Sequence, residues 1–115
     1  MLHLHGDTFA ILAISCLIFY GLKSKIVSFI REVKGFSPLG VSESGEVRLL
    51  LCHSEKEVFP VDTQTLETTH VLKVEGSERI HTVCTNSFES ELIIGVWTDT
   101  KVRFFRYKAP WNRSI

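Results

Sequence analysis

The chain has almost none of the residue patterns that carry chemistry. It holds no CxxC pair, no Gly-rich phosphate loop, no GxSxG and no HExxH, which leaves the common phosphate-binding, hydrolase and metalloprotease sites without their residues. Thirteen basic and thirteen acidic side chains cancel, so no global field steers it to nucleic acid. Three prolines, seven glycines and 44% hydrophobic residues exclude a disordered or collagen-like chain. The 115 residues suffice for one domain with a modest core.

Cys16, Cys52 and Cys84 each sit in an apolar or strand-like run. Buried free thiols of a cytosolic protein account for them, since cysteine is among the most buried residue types. A Cys52–Cys84 disulfide in an exported domain is the alternative, and the odd count weighs against it. His3 and His5 form an i, i+2 pair with no Cys or carboxylate partner at ligand spacing. His53, His70 and His81 are scattered, and Cys52 and His53 point to opposite faces of a strand, which disfavours a Cys/His nucleophile pair. Glu55 with Glu57, and Glu89 with Glu91, read as solvated turn carboxylates rather than an acid/base pair. Asn112-Arg113-Ser114 matches the glycosylation pattern, relevant only at a luminal end. No catalytic, cofactor-binding or metal residue is assigned, no cofactor is implied, and the partner-binding residues are not identified.

What the chain does contain is a train of short strands. Val47 to Cys52, Val58 to Val61, Thr69 to Val74, Ile80 to Cys84, Leu92 to Trp97 and Val102 to Tyr107 are rich in β-branched, leucine and aromatic residues, with polar gaps between them. This spacing predicts an all-β sandwich, barrel or propeller. Val47 to Cys52 and Leu92 to Trp97 are apolar on both faces and read as central strands, with Val47, Leu49 and Leu51 on one face of the first. Val102 to Tyr107 carries Arg103 and Arg106 among aromatics and suits an outer strand. This basic end could touch phosphate or RNA, but alternating arginine more often marks a solvent face. Pro60 cannot donate to a ladder and marks an edge or a bulge.

The N-terminal third has three readings: a membrane anchor, a strand hairpin and a soluble amphipathic helix. Thr8 to Leu22 is an uncharged run of fifteen residues, between the length of a core segment and that of a spanning helix. As a signal anchor it would place the rest of the chain in the cytosol, because Lys23, Lys25, Arg31 and Lys34 follow it. As strands, Ala10 to Tyr20 would turn at 21–25 and return through Ile26 to Ile30. The hairpin is favoured because apolar character resumes directly after Lys23-Ser24-Lys25. The organisation expected is therefore 1–34 as apolar hairpin or membrane anchor, 35–46 as a Gly/Ser/Pro linker or loop, 47–108 as the strand-rich segment and 109–115 as a tail. Eight strands would make about two blades of a propeller, short of the minimum of about four.

The stretch Ser44-Gly45-Glu46-Val47-Arg48-Leu49-Leu50-Leu51-Cys52-His53-Ser54-Glu55-Lys56-Glu57-Val58-Phe59-Pro60-Val61-Asp62 resembles the citron homology (CNH) domain, in which a Leu-Leu-Cys strand, an acidic turn and a Val-Phe-Val strand follow one another. Leu92 to Trp97 and Lys101 to Phe105 look like the family's next strand pair, and Leu17 to Val27 is similar to its strand–turn–strand element. Pro60 departs from the pattern, and the chain is shorter than a full domain. The domain occurs in citron-type and Nck-interacting kinases, Rho exchange factors, GTPase-activating proteins and vacuolar sorting subunits. The resemblance implies part of a propeller-like regulatory domain, truncated here. Its expected function is non-enzymatic protein binding in small-GTPase signalling or vesicle trafficking, in the cytoplasm. The expected partner is a protein, a small GTPase or a regulatory complex, and not a nucleic acid. The alternative is a small single-pass membrane protein anchored by residues 8–22 with a cytosolic β domain.

Overall fold

A computed structural model describes residues 1–25, 27–68, 71–88 and 91–108. The chain is all-β, with eleven strands and no helix among the described residues. The strands are β1 (Leu2–His5), β2 (Thr8–Ala13), β3 (Cys16–Gly21), β4 (Val27–Arg31), β5 (Gly35–Val41), β6 (Val47–His53), β7 (Glu57–Asp62), β8 (Leu72–Lys73), β9 (Ile80–Phe88), β10 (Glu91–Thr98) and β11 (Val102–Lys108). They form three antiparallel meanders in chain order: a first sheet β1-β2-β3-β4, a second β5-β6-β7-β8 and a third β9-β10-β11.

The sheets are stacked, because β6 is apolar on both faces. Leu50, Cys52 and Val47 pack with Leu4, Ala10, Leu17 and Phe19 of the first sheet, joined by Val61 and by Val33 from the β4–β5 link. Leu51 turns the other way and packs with Val58 against Ile80, Leu92, Ile94 and Val96, the last three from β10. The second sheet is thus a middle layer with a separate apolar core on each face, as period-two alternation requires. Val47 joins Leu50 and Cys52 rather than Leu51. Its partner strand β5 shifts register twice, between Pro38 and Gly40 and between Gly40 and Val41, and bulges of this kind bend and twist the ladder.

The expected central strands hold their places: β6 lies between β5 and β7, and β10 between β9 and β11, with β11 on the edge. Trp97 pairs with Val102 across the hairpin that joins β10 to β11. The ladder between β7 and β8 covers Glu57 and Val58 only. Pro60 lies outside this described pairing, and its missing N–H takes no bond from it.

Four expectations are corrected. The run Thr8 to Leu22 forms neither a helix nor one long strand: it splits into β2 and β3, paired from Thr8 with Gly21 to Ala13 with Cys16. No helix among the described residues is long and apolar enough to cross a membrane. Second, Gly35–Val41, read as linker, is strand β5 along β6. Its Gly and Pro are tolerated because β5 is an edge strand. Third, with β1 added, eleven strands give three sheets rather than about two blades. Fourth, β8 is confined to Leu72–Lys73 where a strand from Thr69 was expected; Thr69 and His70 lie outside the described residues.

Candidate functional site

All turns and links at one end of the stack come together. These are the β2–β3 turn (Ile14, Ser15), the β4–β5 link (Glu32 to Lys34), the β6–β7 turn (Ser54 to Lys56), the β8–β9 link (Val74 to Arg79) and the β10–β11 turn (Asp99, Thr100). Backbone hydrogen bonds tie each link to a neighbouring turn. Val33 N–H donates to the Ser15 carbonyl at 3.1 Å, Lys34 N–H to His53 at 2.8 Å, Val74 N–H to Lys56 at 2.9 Å, Ile80 N–H to Glu55 at 2.7 Å and Asp99 N–H to Arg79 at 3.1 Å.

Two adjoining cavities open at this end, of about 490 and 550 Å³, and share Ser15 and Lys34. The first is walled by charge: Glu32, Lys34, Glu55, Lys56 and Glu57. The second runs between the sheets past Phe36, His53, His81 and Val83. Volumes of this order suit small-molecule or side-chain recognition, but both cavities are open to solvent. Their cations are already engaged. Lys34 Nζ donates to Glu55 Oε1 at 2.6 Å, and Lys56 Nζ reaches the carbonyls of Gly76 and Glu78. The bond and charge of Lys34 hold the Glu55 carboxyl below its ordinary range. Burial holds the His53 imidazole low, and the Lys34 charge adds to this. The rim therefore offers mixed charge, and its lysines are poorly placed to capture a phosphate.

At the far side of the same end, Glu78 is a second charged centre. It accepts from Thr100 Oγ1 at 2.9 Å and pairs with Lys101 and Arg103 at 3.3 Å each. The Thr100 hydrogen bond first, and the two cations after it, draw its carboxyl below the usual range against a desolvation cost. Arg106 is taken up by Glu91 at 3.2 Å. Of the basic C-terminal end, Lys101, Arg103 and Arg106 are thus spent on internal pairs; Arg113 lies outside the described residues.

The backbone at the β2–β3 tip is strained. Ile14 and Ser15 take φ of 47° and 58°, and Glu32, beside the first cavity, takes 63°. A left-handed conformation is rare for a β-branched residue, and Ile14 is fully exposed. Sequence reasoning missed Ile14, Ser15 and Glu32, because no Gly, Asn, Asp or Pro marks the Ala13–Cys16 turn.

The remaining candidates stay dispersed. His3 Nε2 sits 2.8 Å from the Gly6 carbonyl and His5 Nε2 3.3 Å from that of Thr63. No group of three potential ligands gathers among the described residues. All three cysteines are free. Cys52 is buried in the core between the first two sheets, which pushes its thiol up to about 12. Cys16 is half-buried, and Cys84 is exposed rather than buried as expected. Cys84 lies opposite Gly95, on the face of the third sheet away from the core. His70, Glu89 and Asn112 to Ser114 lie outside the described residues.

No family model, no curated protein and no solved structure matches the chain.

Proposed function

We propose that the chain is a non-enzymatic protein-interaction module, a propeller-like piece resembling part of a citron homology domain and acting in small-GTPase signalling or vesicle trafficking. Ile14 carries this reading. A β-branched residue held in a left-handed conformation costs stability, and a side chain with no neighbours recovers none of it. Strain of this kind persists where a partner uses the side chain. Ile14 offers an apolar anchor beside a rim of mixed charge from Glu32, Lys34, Glu55 and Lys56. An anchor ringed by polar groups is how protein surfaces concentrate binding energy.

Proximity labelling in cells with the wild-type chain and with Ile14→Asp tests the reading. Small GTPases, their regulators or tethering proteins should be enriched by the wild type and lost with the variant. A labelled set that is identical for both proteins would refute Ile14 as the anchor. A set that depends on Ile14 but contains only metabolic enzymes would refute the signalling context.

A further inference from the structure

Among the described residues, the first and third sheets each leave an outer face without a covering sheet, and both faces are rich in apolar side chains. On the first sheet, Leu17 and Phe19 turn inward, so Phe9, Ile11, Ile18, Tyr20 and Phe29 share the opposite face. Ile11, Ile18 and Phe29 stand side by side across β2, β3 and β4. Neither β2 nor β3 contains a charged residue. On the third sheet, Ile94 and Val96 turn inward, and Cys84, Ile93, Trp97, Val102 and Phe104 share the outer face. Phe29, Trp97, Val102 and Phe104 are each more than half exposed. On the third sheet's face Arg106 pairs with Glu91, which lies opposite Lys108 in register, and on the first sheet's face Arg31 lies over the Phe29 ring at 5.8 Å. Depletion of charge and enrichment of aromatics are the compositional marks of an interface core.

We infer that the outer face of the first sheet packs against the outer face of the third sheet of a second copy, reciprocally, giving a closed dimer. What covers such a face is visible within the molecule: the second sheet is covered on both sides by neighbouring meanders of the same chain. Placing a third sheet against the next copy's first sheet continues that packing.

Area points the same way. At a strand spacing of about 4.8 Å and a rise of about 3.3 Å per residue, a four-stranded face of six-residue strands covers roughly 400 Å² in plan. One such face is short of the roughly 800 Å² per partner of a stable interface, whereas both faces together approach it. A two-fold operator that uses both faces at once leaves no surface for further growth.

Sedimentation and light scattering on the full 115-residue chain test the proposal. The expected mass is twice 13.1 kDa. Phe29→Glu and Phe104→Glu should each reduce it to one copy, with the far-UV circular dichroism unchanged because both rings are exposed in the single chain. If either glutamate variant unfolds, serine at the same position replaces it. An equimolar mixture of the two variants should regain part of the association, since one of its two interfaces is then wild type. A wild-type monomer, a polymer that lengthens with concentration, or a dimer that survives either substitution overturns the proposal. Dissociation by Phe29→Glu alone would indicate like-with-like pairing of first sheets and overturn it as well.

Discussion

Replacing Ile14-Ser15 by Asn-Gly should make the protein more stable, although no contact is added. Both residues occupy the left-handed region, at φ 47° and 58°, where an L side chain costs about 1–2 kcal/mol. Asn-Gly is the pair that two-residue hairpins of this type favour. Ile14 is fully exposed, so its removal forfeits no packing. Glycine at position 15 keeps the carbonyl that Val33 uses, while the more flexible unfolded chain returns about 0.5–1 kcal/mol. The net gain is about 1–3 kcal/mol, which for a domain of this size raises Tm by roughly 4–15 °C. Urea unfolding followed by circular dichroism measures it as a higher midpoint at unchanged m-value. An unchanged or lower midpoint would refute the claim that strain is stored at this tip. The same variant should lose the partner contacts assigned to Ile14, which separates stability from binding at a single turn.

Leu50→Ala empties a fully buried site between the first two sheets. It should cost about 2–5 kcal/mol in a denaturant titration. Glu78 has its folded pKa depressed below the ordinary 4.5, so its stabilising contribution is present above that value and is lost as pH falls through the folded pKa. Glu78→Gln should therefore lower Tm at pH 7 and flatten its decline in acid, as scanning calorimetry between pH 7 and 3 would record. Under native conditions a maleimide should label Cys84 first, Cys16 more slowly and Cys52 only on unfolding, because Cys84 is exposed while burial pushes the Cys52 thiol up to about 12. Mass spectrometry after proteolysis reads the order, and early labelling of Cys52 would contradict the buried core.

The strands easiest to read in the sequence are those whose composition and burial agree. β6 is apolar on both faces because it packs on a core to either side, whereas β10 packs one face on a core and leaves Trp97 exposed on the other. The Thr98 to Lys101 turn carries its own polar signal and is closed by Thr98 N–H donating to Lys101. β5 was hidden, because Gly35, Ser37, Pro38 and Gly40 look like linker chemistry; an edge strand needs one paired side, which β6 provides. The turn that divides residues 8–22 left no mark at all, since Ile14 and Ser15 are not turn residues. Without that break the run has the length of an anchor as readily as that of two strands. The candidate site was invisible for the same reason. Its distinguishing property is a backbone conformation, and the residues holding it argue against that conformation. The outer aromatic faces were present in the sequence as alternate positions of apolar strands. Which alternate set is left uncovered is decided by the stacking order of the sheets, which periodicity does not contain.

The two cores on either side of the second sheet share no buried residue. A lesion in one reaches the other through β6, β7 and the turn hydrogen bonds that join the sheets, so unfolding can proceed layer by layer, as in linear repeat arrays. The first meander can loosen while Leu51, Val58 and Ile94 stay packed, and amide exchange would then sort the chain into blocks that follow sheet boundaries. Such a molecule accommodates change at its ends without dissolving its centre. Its middle meander is the one layer whose loss would leave the other two with nothing in common.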